Sequence, residues 1–217
     1  MEKIIHYCWF GNKPLPKMAK KCIKSWKKYL PDYEIKQWNE ENFDININNF
    51  VKGAYEKKKW AFVSDCARTY ALLNHGGIYF DTDMELKKDI SFLLDKDFFI
   101  GREDSGYIAA GVIGVKEKNN KIIKQLMDEY NKFESFDENK VYEFAIPKII
   151  TKILEKYPKN VEENGIEIYD KSIYVYPREY FYPLSYDHQY NIFTDNTCMI
   201  HYYDASWTPN NEQFINK

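Results

Sequence analysis

The run from Trp60 to Asp83 constrains this chain more than any other stretch. Trp60 to His75 predicts a helix, and Gly76-Gly77 after it is a strong stop signal. Ile78-Tyr79-Phe80 then reads as a short buried strand that runs straight into Asp81-Thr82-Asp83. The helix itself carries Ser64-Asp65-x-x-Arg68, with Asp65 and Arg68 three residues apart and so on one face. Their neighbours Phe62, Val63, Tyr70, Ala71 and Leu72 are apolar, so the acid and the base are expected to be partly buried and in need of partners.

Similar strand and helix signals fill the rest of the chain. Lys3 to Phe10 reads as a first strand, ended by Gly11-Asn12. Leu15 to Leu30 reads as a helix, with Leu15, Met18, Cys22, Trp26 and Leu30 at helical spacing and Pro16 in the first turn. Tyr33 to Trp38 is a second strand, and residues 47–59 are weakly patterned helix. Phe98 to Gly101 and Ala109 to Val115 follow as strands, then helices at about 119–133 and 143–156 and short strands near 166–168, 173–176 and 198–202. This alternation predicts an α/β fold: one domain over residues 1–217, with a mostly parallel central sheet flanked by helices. In such sheets ligands sit at the carboxyl ends of the strands, where Asp81 and Asp83 lie.

Charge and cysteine content narrow the function classes. The 217 residues carry a net charge of -2, which argues against a nucleic-acid partner. Residues 1–30 hold eight Lys and one Glu, a net +7, so the remainder carries -9. Lys17, Lys20, Lys21, Lys24, Lys27 and Lys28 line one side of the helix at 15–30. A solvated face is the plainer reading of that stripe, and a peripheral contact with anionic lipid is the alternative. Cys8, Cys22, Cys66 and Cys198 form no C-x-x-C pair, so zinc is not expected and reduced thiols are. No run of eighteen apolar residues occurs, and the N-terminus lacks a signal-peptide layout; a cytoplasmic protein is expected.

Asp81-x-Asp83 alone says little, because 15 Asp in a chain of this length give roughly one D-x-D by chance, and Asp95-x-Asp97 is a second. From the pair alone, a solvated turn is the better reading. Position separates the two pairs: only the first directly follows a buried strand. Two carboxylates at the mouth of a sheet repel unless a cation sits between them, and a hard divalent ion with open positions for phosphate oxygens fits that role.

Taken in order, the motifs resemble glycosyltransferase family 32. The resemblance is carried by Trp60-Ala61-Phe62-Val63-Ser64-Asp65-x-x-Arg68, by Gly76-Gly77-Ile78-Tyr79-Phe80-Asp81-Thr82-Asp83, by the opening Ile4-Ile5-His6-Tyr7-Cys8-Trp9-Phe10-Gly11, and by the closing His201-Tyr202-Tyr203-Asp204-Ala205-Ser206-Trp207. Residues 116–196 contribute little to it. The central block is also similar to the catalytic domain of large glucosylating toxins. The resemblance implies a GT-A fold and a retaining, metal-dependent transfer from a nucleotide sugar to a saccharide or lipid-linked saccharide in capsular or other surface-polysaccharide synthesis. It implies Mn²⁺ or Mg²⁺ as cofactor and UDP-sugars favoured over GDP-sugars; a peripheral place at the inner face of the plasma membrane is the alternative that the lysine-rich helix at 15–30 leaves open. By position, Trp9 matches the aromatic stacked on the donor base, and Asp65 and Arg68 match residues holding ribose, sugar or phosphate. Tyr79 matches an aromatic beside the nucleotide, Asp81 a carboxylate near the ribose and sugar, and Asp83 the direct metal ligand. His201 is the favoured completion of the metal shell, with Asp204 and Ser206 as rivals, and Trp207 is placed to cover the diphosphate.

Other residues stay open. Trp9 reads equally as a core aromatic, and His6, on the opposite strand face, as a satisfied core histidine. His75 suits a helix C-terminus. Glu103 and Asp104 stand before a glycine-bearing segment, as acceptor or donor-sugar contacts or as part of an ordinary hairpin. A protein-modifying, effector-like transferase and a silent nucleotide-sugar-binding module are the competing functions. A nucleotidyltransferase lacks support, since there is no GxxxxGK[ST] loop.

Overall fold

The computed structural model describes residues 1–103 and 105–203. Among the described residues there are ten strands: β1 (Ile4–Cys8), β2 (Glu34–Trp38), β3 (Gly77–Phe80), β4 (Met84–Leu86), β5 (Phe98–Arg102), β6 (Ile108–Val115), β7 (Lys159–Val161), β8 (Glu167–Tyr169), β9 (Ile173–Tyr176) and β10 (Met199–His201). The helices are α1 (Lys17–Tyr29), α2 (Asn49–Glu56), α3 (Trp60–His75), α4 (Ser91–Leu94), α5 (Lys121–Asn131), α6 (Val141–Phe144), α7 (Ile146–Leu154) and α8 (Arg178–Phe181). Eight strands form one sheet in the order β2-β1-β3-β6-β5-β9-β8-β7, while β4 and β10 pair separately.

Strand direction follows connection length. The pairs β1–β2, β1–β3 and β5–β9 are parallel, and β6 and β8 are antiparallel to both of their neighbours. The sheet is therefore mostly parallel in strand direction, with two reversals. Both arise where a short loop links successive strands, as between Arg102 and Ile108, because a short loop permits only an antiparallel return.

Both sheet faces are covered, which settles the alternation on β1. Cys8 and Phe10 join a core with α2, α3, α5 and α7, whereas Ile5 and Tyr7 join a second core with α1, Phe80 and Phe181. Trp26 anchors α1 in that second core and donates its indole N–H to the carbonyl of Met84 at 2.7 Å. The glycines after α3 follow from backbone geometry: Gly76 and Gly77 have φ of +67° and +86°, and a Cβ on Gly77 would lie 2.6 Å from the Ile4 carbonyl oxygen. Residues 60–75 and 173–176 form the elements expected of them, and Asn48, accepting from the Val51 N–H, gives α2 a cap that the weak periodicity did not reveal. Among the described residues no helix is long and apolar enough to cross a membrane.

His6 is a core histidine with both ring nitrogens engaged. Nε2 lies 2.9 Å from the Gly76 carbonyl, and Nδ1 accepts from Trp38 Nε1 at 3.1 Å. Burial dominates its titration and pushes the pKa down to about 4 from 6.5, with the charges of His75 and Lys36 adding to it. The unfolded chain binds the proton first, so this contribution is complete above about pH 6.5 and is lost as pH falls toward 4. It amounts to up to about 3 kcal/mol. Denaturant unfolding of wild type and His6→Gln across pH 4–7 should show this slope in the wild type alone; parallel curves would refute it.

Candidate active site

The carboxyl end of β3 is the point where the chain changes layers. Asp81 leaves the sheet, its N–H bonded to the Gly111 carbonyl at 2.8 Å, and Asp83 precedes β4. Gly111 lets β6 approach this closely, since a Cβ there would stand 3.3 Å from Asp81 Oδ2. β4 then pairs with β10 in the register Met84↔His201, and the Tyr202 N–H bonds to the Asp83 carbonyl at 3.1 Å. This ladder brings His201 Nε2 within 3.1 Å of Asp83 Oδ1 across nearly 120 residues of chain.

Asp81, Asp83 and His201 each offer one ligand atom, and these atoms lie within 4.8 Å of one another. Two carboxylates and an imidazole, partly exposed, make a donor set that fits a divalent ion of the Mn²⁺ or Mg²⁺ kind. Burial works to lower the His201 pKa, but the charge and hydrogen bond of Asp83 outweigh it and the net direction is upward. His201 Nδ1 is buried and without a hydrogen-bond partner among the described residues.

Beneath this triad lies a buried charge network. Arg68 sits 3.0 Å from Asp65 Oδ1 and 3.2 Å from Asp81 Oδ1, and it donates to the Ala110 carbonyl at 2.7 Å. Its guanidinium lies over the Tyr79 ring at 4.5 Å, and the Tyr79 hydroxyl donates to Asp81 Oδ1 at 2.8 Å. Burial raises Asp65 to about 6 in spite of Arg68. For Arg68, burial lowers the pKa, yet Asp81, Tyr79 and Asp65 together drive it well above the ordinary value. Arg68 Nε is buried and unpartnered among the described residues.

Asp65, Arg68, Tyr79, Asp81, Asp83 and His201 are thus brought together, in two tiers. Asp81, Asp83 and His201 face outward. Asp65, Arg68 and Tyr79 are buried, Tyr79 at 1 % exposure, so the ring matched by resemblance to a nucleotide contact spends its face on Arg68 and its hydroxyl on Asp81. Glu103 starts the β5–β6 turn, its N–H bonded to the Tyr107 carbonyl at 3.0 Å, and its charge is the last of those that raise the His201 pKa. Trp9 follows β1 and donates its indole N–H to the Lys13 carbonyl at 2.6 Å. Asp104, Asp204, Ser206 and Trp207 lie outside the described residues.

Three contributors escaped the sequence reading. Tyr130 of α5 points its hydroxyl at Asp65 Oδ2 (3.4 Å) and the Phe144 carbonyl (3.2 Å); in sequence it is one more apolar position of an amphipathic helix. Tyr203 packs a tilted ring against His201, with centroids 4.2 Å apart. Glu85, Tyr202 and Lys21 form a polar clasp on the far side of the β4–β10 ladder, with Tyr202 donating to Glu85 at 2.5 Å and Lys21 to Tyr202 at 2.9 Å. The alternation of a strand next to His201 was the signal available for Tyr202.

Comparison with known proteins agrees with this geometry. The family model for a glycosyltransferase sugar-binding region containing a DXD motif matches residues 16–100, a stretch that includes Asp65, Arg68, Asp81 and Asp83. The uncharacterized glycosyltransferase L373 of Acanthamoeba polyphaga mimivirus is 26% identical over 235 aligned residues, covering 96% of this chain and 84% of that protein. The structure of PaToxG glycosyltransferase is similar with a TM-score of 0.56 at 22% identity, over 71% of this chain and 68% of the other, a likeness of GT-A fold. The D-x-D pair at the carboxyl end of β3 thus lies inside the stretch that matches the family model for a DXD-containing glycosyltransferase sugar-binding region.

Proposed function

We propose that the chain moves a sugar from a nucleoside diphosphate sugar, UDP-linked, to a saccharide hydroxyl in the building of a capsule or another surface polysaccharide. The observation that carries this reading is the outward triad Asp81, Asp83 and His201 set directly over buried Arg68. Asp83 and His201, with Asp81, would hold a divalent cation, which supplies positive charge against the diphosphate as it departs. Arg68 holds Asp81 in place from below, Asp65 holds Arg68, and the Tyr130 hydroxyl donates to Asp65 in turn. Glu103 and its turn supply polar contacts for the donor sugar or the acceptor. The reading puts the enzyme in the cytoplasm, where it meets its donor.

The transfer retains anomeric configuration without a protein nucleophile. Asp65 is buried below Asp81 and tied to Arg68, and Asp81 is held by Tyr79 and Arg68, so neither is free to swing onto the anomeric carbon. The acceptor oxygen bonds to that carbon as the carbon–oxygen bond to the diphosphate breaks. The acceptor proton passes to the departing phosphate oxygen. A trapped glycosyl–enzyme adduct would overturn this route.

Nucleotide release from a panel of UDP- and GDP-sugars, with Mn²⁺ and without acceptor, tests the reading. Release from a UDP-sugar, lost on adding EDTA, is expected. No release from any member, together with no donor binding by calorimetry, would refute the reading; binding without release in the presence of acceptor mixtures would mark a silent binding module. Trp9→Ala should weaken donor binding by about ten- to a hundredfold, since a stacked base contributes roughly 1–3 kcal/mol. An unchanged dissociation constant would return Trp9 to a packing role.

A further inference from the structure

The second core leaves a groove open on its outer side. Two adjoining cavities of about 530 and 370 Å³ lie between α1 and the strands β1 and β2, sharing Tyr7, Ile23 and Lys27. Tyr33, Ile35 and Leu15 complete an apolar floor, and Lys20 and Lys24 join Lys27 on the rim. Among the described residues no carboxylate lines it. On β2, Ile35 faces the groove, while Lys36 lies over the Trp38 ring on the other sheet face and Glu34 acts there on His75.

The rim belongs to a larger cationic face. α1 contains six Lys and no acidic residue. Lys17, Lys20, Lys24 and Lys27 recur at spacings of three and four and so share one face. Among the described residues these four make no ion pair, whereas Lys21 is taken up by Glu85 and Tyr202. Opposite this face the helix buries Ala19, Cys22 and Trp26, so its docking to the sheet does not depend on the lysines.

We propose that this face is a membrane seat: the Lys20–Lys24–Lys27 rim binds the phosphate headgroups of an anionic bilayer, and the apolar floor of the groove receives the adjoining acyl region. Charge complementarity and the apolar floor argue together for lipid. A free anion would use the lysines and leave the floor wet, and a nucleic acid has no arginine here to read it, since Arg68, Arg102 and Arg178 all lie elsewhere. α1 also touches the ladder that carries His201, because Lys21 bonds Tyr202 on its far side. A bilayer on this face would meet the helix that braces the His201 ladder, which suits a lipid-borne saccharide acceptor; this last step rests on the proposed function, and the seat itself does not.

Co-sedimentation of the full chain with vesicles tests the seat. Binding is expected to phosphatidylglycerol–phosphatidylcholine vesicles and not to phosphatidylcholine alone, and it should fall at high salt. Lys20→Gln/Lys24→Gln/Lys27→Gln should lower the partition coefficient by about a hundredfold, at about 1 kcal/mol per Lys. Donor hydrolysis in that variant should equal the wild type, which shows that the fold is intact. Ile23→Ser should weaken partitioning and leave its salt slope unchanged. Equal binding to both vesicle types, a triple variant that partitions like the wild type, or release from the vesicles by inorganic phosphate or duplex DNA at matched phosphate concentration would each overturn the proposal. If donor hydrolysis is absent in the wild type as well, an unchanged thermal midpoint shows that the triple variant is folded, donor binding by calorimetry decides the proposed function, and the vesicle result still decides the seat.

Discussion

Asp83→Ala should lower donor hydrolysis by on the order of a thousandfold or more. Asp83 is the one carboxylate of the triad that lies against His201, at 3.1 Å, and it stands at the hinge between Asp81 and β4. Its removal takes a charged ligand from the proposed cation and leaves His201 without the interaction that raises its pKa. Losing a single preorganised donor from a catalytic site costs about a hundred- to a thousandfold, and loss of the ion held there removes more. Mn²⁺ affinity, measured by calorimetry without donor, should collapse in the same variant while the thermal midpoint barely moves, because Asp83 is partly exposed and outside both cores. Turnover within tenfold of the wild type would remove Asp83 from the machinery.

Arg68→Met should be the most damaging single change to stability. Arg68 is 6 % exposed, and so is Asp65, which keeps Tyr130 as a partner when the guanidinium is gone. Breaking a buried ion pair from one side costs about 3–5 kcal/mol, because the other charge stays buried and uncompensated. For a chain of this size that lowers the thermal midpoint by roughly 10 °C. The pH dependence follows from Asp65. Burial already raises its pKa to about 6, and without Arg68 it moves further up, so the folded variant takes a proton that the unfolded chain does not. The deficit is therefore smallest in acid and grows as pH rises through the folded pKa. Arg68→Met/Asp65→Leu should recover most of the loss, since an apolar pair needs no counter-charge. A deficit independent of pH, or no recovery in the double variant, would show that Arg68 stabilises through packing instead.

The centre of this fold was legible in the sequence because local and global signals agree there. The helix at 60–75, its double-glycine stop and the strand ending in Asp81 need no distant information. The same holds for Trp26, whose helical spacing with Cys22 and Leu30 places it inward. What stayed hidden depends on pairing between remote segments. Met84-Glu85-Leu86 is too short to announce a strand; the strand expected near 198–202 is present as Met199–His201, but its pairing with Met84–Leu86 was not readable. Tyr130 shows the complementary difficulty. Periodicity marks it as buried and says nothing of the hydroxyl that Asp65 uses. The reversal of β6 follows from a five-residue loop whose ends only the structure defines.

The β4–β10 ladder bears on how the molecule is assembled. None of the eight strands of the main sheet hydrogen-bonds to β10, so the sheet can close while residues 199–203 are still absent. During synthesis Asp81 and Asp83 emerge early, and their imidazole partner comes more than a hundred residues later. A nascent chain can thus hold its final shape in nearly every part and still lack a finished centre. Activity in this design reports that β10 has docked, and a chain cut short before His201 should persist as a folded, inert form. The ladder works as a final fastening step, separating the moment of folding from the moment of competence.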